Sequence, residues 1–210
     1  MKKEEKTRRT CEKIIQAATV EFGMKSYETA SLNTICSENN ISKGLIYHNF
    51  QNKDELYLIC VKRCYDELTS HMQKTVFESD NVRENLEKIL KERQKFFEEY
   101  PHYKNIFFNS ILLPPGHLIK KLKEIRSEYD NYLKRQYIDL VGEMNLRQGV
   151  SVERATQYLM TFQEMYNGYF RERYGENKDF ETLVKTHETK LSELLDIMLY
   201  GIAVKDKGEE

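Results

Sequence analysis

All three prolines of this 210-residue chain lie between positions 101 and 115, as Pro101 and the pair Pro114–Pro115. Elsewhere nothing blocks helix propagation outright, and the nine glycines are too few to punctuate an all-β or loop-rich fold. Lys, Glu, Leu, Ile, Gln and Met are abundant, which favours long helices. A content of 40% hydrophobic and 32% charged residues suits a globular core and argues against global disorder. The expectation is an all-α chain, long enough for one or two domains.

Apolar spacing places the helices. Ile14, Ile15, Ala17, Ala18 and Phe22 form one stripe on a helix from about Thr10 to Phe22. Ser31 reads as the N-cap of "LNTICSEN", and Ser42 as the N-cap of "KGLIYHN". Only Asn40 and its neighbours separate the two, a helix-turn-helix spacing, and Asn tolerates a left-handed turn. Asp54 opens a fourth helix, to about residue 76, that buries Leu56, Leu58, Ile59, Val61 and Tyr65. An amphipathic stretch follows from about Val82 and stops before Pro101, then a short apolar one from His102 to Pro114, and a long segment from Leu118 to about Asn145. Gly149 marks a loop, Ser151 caps the next helix, and the last runs from about Asp179 to Tyr200. No repeat or low-complexity segment interrupts them.

The run "IIQAATVEFGMKSYETASLNTICSENNISKGLIYHNFQNKDEL", Ile14 to Leu56, resembles the DNA-binding domain of the TetR family of transcriptional regulators. Ala17-Ala18, Phe22, Tyr27, Ser31, Ile35, Ile41-Ser42-Lys43-Gly44, Ile46-Tyr47, Phe50, Lys53 and Leu56 carry the likeness. Ser26 and Asn40 stand where the family commonly has glycine, and a left-handed backbone is expected at both. The resemblance implies a three-helix helix-turn-helix domain at 1–53 and a helical effector-binding and dimerisation domain at 54–204. Helix 4, about 54–76, connects them, and a polar tail occupies 205–210. It implies a sequence-specific regulator of transcription, a repressor released from a palindromic double-stranded DNA operator by a small hydrophobic or aromatic effector.

Onto this sequence, the family's DNA-contacting positions fall at Ser31, Asn33, Ser42, Lys43, Gly44, Leu45, Tyr47, His48, Asn49 and Lys53. Lys43 and Lys53 suit phosphates, Gly44 permits close approach, and Leu45 suits a thymine methyl. Ile46 and Phe50 are expected in the core. The basic stretch "KTRR" before helix 1 reads equally as a DNA-reaching arm or a disordered terminus. Residues 1–63 hold 11 Lys and Arg against 8 Asp and Glu, and the remainder 22 against 26. That mildly basic head on an acidic body fits phosphate binding.

Aromatic residues suggest an effector pocket: Tyr100, His102, Tyr103, Phe107, Phe108, Tyr129, Phe162 and Tyr166. Broad apolar stripes on the last two helices, with Tyr158, Tyr169, His187, Leu191, Leu194 and Met198, fit the four-helix homodimer that the resemblance implies. Stripe positions also include Met165 and Ile202. Cys11, Cys36, Cys60 and Cys64 make no disulfide framework, which suits a reducing cytoplasm. Cys60 and Cys64, one helical turn apart, leave open a redox- or metal-sensing regulator on the same scaffold; burial as small hydrophobes is the other reading. No phosphate-cradling glycine loop, nucleophile elbow or metal-ligand spacing stands out, so neither an enzyme nor a cofactor is expected. No apolar run is long enough to span a membrane.

Overall fold

The computed structural model describes residues 3–77, 79–173 and 179–200, so Ile202, the boundary at 204 and the tail 205–210 lie outside the described residues. Among the described residues nine α-helices follow in order: α1 (Lys3–Met24), α2 (Leu32–Asn39), α3 (Lys43–Asn49), α4 (Lys53–Met72), α5 (Val82–Glu99), α6 (Pro101–Leu112), α7 (Ile119–Gly142), α8 (Val152–Arg173) and α9 (Phe180–Tyr200). A short 3-10 turn, Gly116–Leu118, precedes α7. No strand occurs among the described residues. The all-α expectation is met.

Local chemistry explains the boundaries. Pro101 occupies the first turn of α6, where its missing N–H costs nothing. Ser151 caps α8 by accepting from the Arg154 N–H at 3.2 Å. Asn40 is the one non-glycine residue with positive φ among those described, at φ 52°. The Ile41 N–H beyond it closes α2 onto the Cys36 carbonyl at 3.0 Å.

Three expectations are corrected. Ser26 does not take a left-handed backbone; its carbonyl accepts from the Ala30 N–H at 3.0 Å in an ordinary turn. The "KTRR" stretch is not a disordered terminus: it forms early turns of α1, with Arg9 paired to Glu5 at 2.7 Å. Helix α4 stops at Met72 rather than about 76. Its last turn tightens, with the Lys74 and Thr75 N–H groups donating to the carbonyls of His71 and Met72.

The described residues form two compact units, one from within 1–68 and 96–127 and one from within 69–95 and 128–200. In the first, α1 packs on α2 and on α6. Its interior holds Ile14, Ala18, Phe22, Ile35, Ile46, Leu56, Tyr57, Ile106 and Phe108. Gly23 sets the α1–α6 contact: a Cβ there would lie 2.5 Å from the His102 Cβ and 2.7 Å from its Cα. The Gly23 carbonyl accepts from the Asn105 amide at 2.6 Å. In the second unit α8 packs on α9. Val141, Ala155, Leu159 and Met198 form one of its clusters.

Candidate nucleic-acid interface

A buried carboxylate organises the platform. Glu21 of α1 accepts from the Ser31 N–H at 2.8 Å and pairs with Lys25 at 2.8 Å. Ser31 in turn caps α2 by accepting from the Asn33 N–H at 3.2 Å. Ser42 does the same for α3 through the Leu45 N–H, also at 3.2 Å. With Ile46 and Phe50 buried, helical periodicity turns the rest of α3 outward. Lys43, Gly44, Leu45, Tyr47 and His48 are exposed, as is Asn33 on α2. Among them Leu45 and Tyr47 are large side chains 38% and 51% accessible, costly in water unless something covers them.

Two expected contact residues are already engaged. The Asn49 amide donates to the Leu45 carbonyl at 2.7 Å and accepts from the Cys11 thiol at 3.3 Å. Lys53 holds its ammonium 4.4 Å from the Tyr27 ring centroid, a cation–π arrangement. Burial draws its pKa down, against Glu28, Asp54 and Glu21, which favour the charge. Tyr27 donates from its hydroxyl to Asp54, whose other oxygen meets His117 Nε2 at 3.1 Å. The Tyr27 hydrogen bond leads in holding the Asp54 carboxyl below its usual range, against burial and with help from His117.

Sequence reasoning missed several of these groups. Asn52, not Asp54, caps α4, accepting from the Glu55 N–H at 2.9 Å, while Glu55 reaches back to the Gln51 N–H at 2.6 Å. The Asn-x-x-Glu spacing is a legible capping-box pattern. Glu21 and His117 carry no such local signal.

The expected pocket residues fall into different settings. Tyr100, His102, Tyr103, Phe107 and Phe108 belong to the first unit and Tyr129, Phe162 and Tyr166 to the second. Phe107 and Phe108 are buried against Phe97 with centroids 5.1 and 5.7 Å away, and Phe107 also meets Tyr65. Tyr103 stacks on Phe96, and Tyr100 is exposed. In the second unit Phe162, Tyr166 and Phe170 follow one another along α8, and Tyr166 and Phe170 both touch His187. Tyr129 is buried.

Of the expected dimer residues, Tyr158 and Tyr169 are exposed and Leu194 is half-buried, whereas His187, Leu191 and Met198 are buried within the chain. The most exposed large apolar side chains of α8 and α9 are Met165 at 69% and Ile197 at 68%. Gly168, with open space where a Cβ would stand, lies beside Tyr169 on α8. Cys60 and Cys64 are fully buried. Burial pushes the Cys60 thiol up to about 12 and Cys64 well above its ordinary value, away from the reactive thiolate.

A short capped helix, seated by Ile46 and Phe50 across a tight left-handed turn from α2, is the second half of a helix-turn-helix. That motif is the architecture by which one helix can be presented to a DNA groove. Residues 14–59 match the family of bacterial regulatory proteins, tetR family. It is 27% identical over 106 residues to the transcriptional activator FasR of Mycolicibacterium smegmatis, covering 49% of this chain and 47% of FasR. It is 34% identical over 55 residues to IcaR, the negative regulator of the biofilm operon icaADBC in Staphylococcus epidermidis, covering 26% of this chain and 30% of IcaR. The chain thus matches half or less of the length of these relatives. The structure of FadR from Bacillus subtilis, solved with stearoyl-CoA, superposes with a TM-score of 0.62 at 18% identity, over 89% of this chain and 98% of that one. No helix among the described residues is long and apolar enough to cross a membrane.

Proposed function

We propose that the chain is a homodimeric repressor whose α3 helices enter the major groove of a palindromic operator, and which a small apolar effector releases. The exposed row Lys43, Gly44, Leu45, Tyr47 and His48 on a firmly seated α3 carries this reading. Lys43 meets phosphate, Leu45 and Tyr47 lie toward bases, and Ser31, Ser42, Asn49 and Lys53 hold the surface in shape. One such helix reads too few base pairs for specificity, so two copies are required. The outward Tyr158, Met165 and Tyr169 of α8, with Leu194 and Ile197 of α9, supply an apolar face for the second copy. A redox sensor at Cys60 and Cys64 is disfavoured by their burial.

Footprinting on operator fragments tests the reading. Protection should span two half-sites a whole number of turns apart, roughly 10 bp or a multiple. Lys43→Ala should weaken binding to every sequence and reduce the salt slope by about one. A monomer protecting a single asymmetric site, or a slope unchanged by Lys43→Ala, would overturn it.

A further inference from the structure

A narrow cleft inside the second unit has a side chain of opposite character at the same end of each wall. On α5 the lining residues Leu86 and Leu90 lead, one turn on, to Arg93. On α8 Leu159 and Gln163 lead to Asn167, and on α9 Leu195 and Leu191 lead back to Glu188 and His187. The spacing of three or four residues keeps each series on one helix face. The polar residues meet. Arg93 donates through one nitrogen to both Glu188 oxygens at 2.9 and 2.8 Å, His187 Nδ1 lies 3.0 Å from Glu188, and His187 Nε2 lies 2.9 Å from the Asn167 amide. Arg93 is buried, while Glu188 keeps a quarter of its side chain in solvent.

We infer that this cleft is the effector site and that it takes a linear aliphatic carboxylate, the chain between the leucines and the head group on Arg93 in place of Glu188. The inference rests on the reading of the chain as effector-responsive. The lining is mainly aliphatic, unlike the aromatic lining expected from sequence. Its open volume is only about 30 Å³. A rigid planar compound would need a preformed slot of some hundreds of Å³, as ligand pockets usually provide. A flexible chain can instead enter as leucine rotamers turn, and each methylene exchanges water for hydrocarbon. At the polar end, one turn beyond the lining, one carboxylate replaces another on the same guanidinium, so the cost of leaving Arg93 buried without a counter-charge never arises. Glu188 swings into water from its partly exposed position. The exchange unties α5 from α9, which gives the ligand a preference between two arrangements of the unit.

Calorimetric titration of the full chain with decanoate, dodecanoate and tetradecanoate, below their micelle concentrations, tests this without DNA. Affinity should rise about fourfold per methylene, the equivalent of about 0.8 kcal/mol. Dodecanol should bind at least tenfold more weakly than dodecanoate. Glu188→Gln, which removes the competing charge, should tighten dodecanoate several-fold and leave dodecanol unchanged. Leu195→Trp, which fills the cleft, should abolish binding of every chain while far-ultraviolet dichroism stays helical. Absence of chain-length dependence, dodecanol equal to dodecanoate, or no gain in Glu188→Gln would overturn the inference. Operator footprints on the same preparation separate the failures: protected half-sites with no fatty-acid binding sink the ligand assignment alone, and their absence sinks the regulator reading.

Discussion

Gly44→Ala sets stability and function in opposition at a single methyl group. Gly44 is the second residue of α3, and a Cβ built there meets nothing within 4 Å. Alanine is therefore free to enter, and its higher helix propensity should stabilise the free protein by about 0.5–1 kcal/mol. For a chain of this length that is a rise in melting temperature of roughly 1–4 °C. The same open space is where the reading places the duplex. A methyl forced against backbone or base there costs about 1–3 kcal/mol, as overpacking does elsewhere, or roughly 5- to 150-fold in affinity. Thermal melting and fluorescence-anisotropy titration of a labelled operator, run on one preparation, read both effects. A higher melting temperature with unchanged operator affinity would remove Gly44 from the contact surface. A lower melting temperature would refute the open environment assigned to it.

Gly23→Ala should do the reverse, losing about 1–3 kcal/mol or more because the new Cβ meets backbone of α6 at His102, and urea unfolding measures it. Burial raises the Glu188 carboxyl, but the Arg93 charge and the His187 hydrogen bond override it, so its folded pKa lies below the ordinary one. The stability it contributes is present above the unfolded value of about 4.3 and is lost as pH falls from there through the folded value of about 2; melting curves between pH 2 and 6 should show a limb that Glu188→Gln flattens. With Ellman's reagent, Cys11 and Cys36 should react in the native protein and the buried Cys60 and Cys64 only on unfolding.

Elements defined by neighbours in sequence were readable in advance. Caps at Ser31, Ser42 and Ser151, the left-handed Asn40, and the stops at Pro101 and Pro114 follow from local chemistry, and α2, α3, α5, α6 and α8 lie close to where that chemistry puts them. The outward face of α3 was also legible, because burying Ile46 and Phe50 leaves no other choice. Ser26 sits in an ordinary turn, so a position where the resembled family commonly has glycine does not by itself demand a left-handed backbone. What stayed hidden depends on distant partners. Glu21 looks like a surface residue on α1 until Ser31 closes on it. Lys53 reads as a free phosphate donor until Tyr27 comes under it. Arg93 is one charge in a highly charged α5, and only its juxtaposition with Glu188, far along the chain, marks it. Aromatic content pointed to a pocket; the cleft proposed for the effector is lined chiefly by leucines that periodicity alone assigns to core.

The turn before α7 limits which changes of length the chain can accept. Pro114, Pro115 and Gly116 deliver His117 to Asp54, with Tyr27 on the carboxylate's other oxygen. One inserted residue moves the chain by up to about 3.8 Å, farther than a hydrogen bond stretches. If the helix absorbs it instead, every later side chain of α7 turns by about 100° around the axis. Point changes at Pro114 or Pro115 leave that span intact, whereas a single insertion or deletion does not. The stretch from Pro114 to His117 is thus a ruler, held constant by the bond at its end whatever residues fill it.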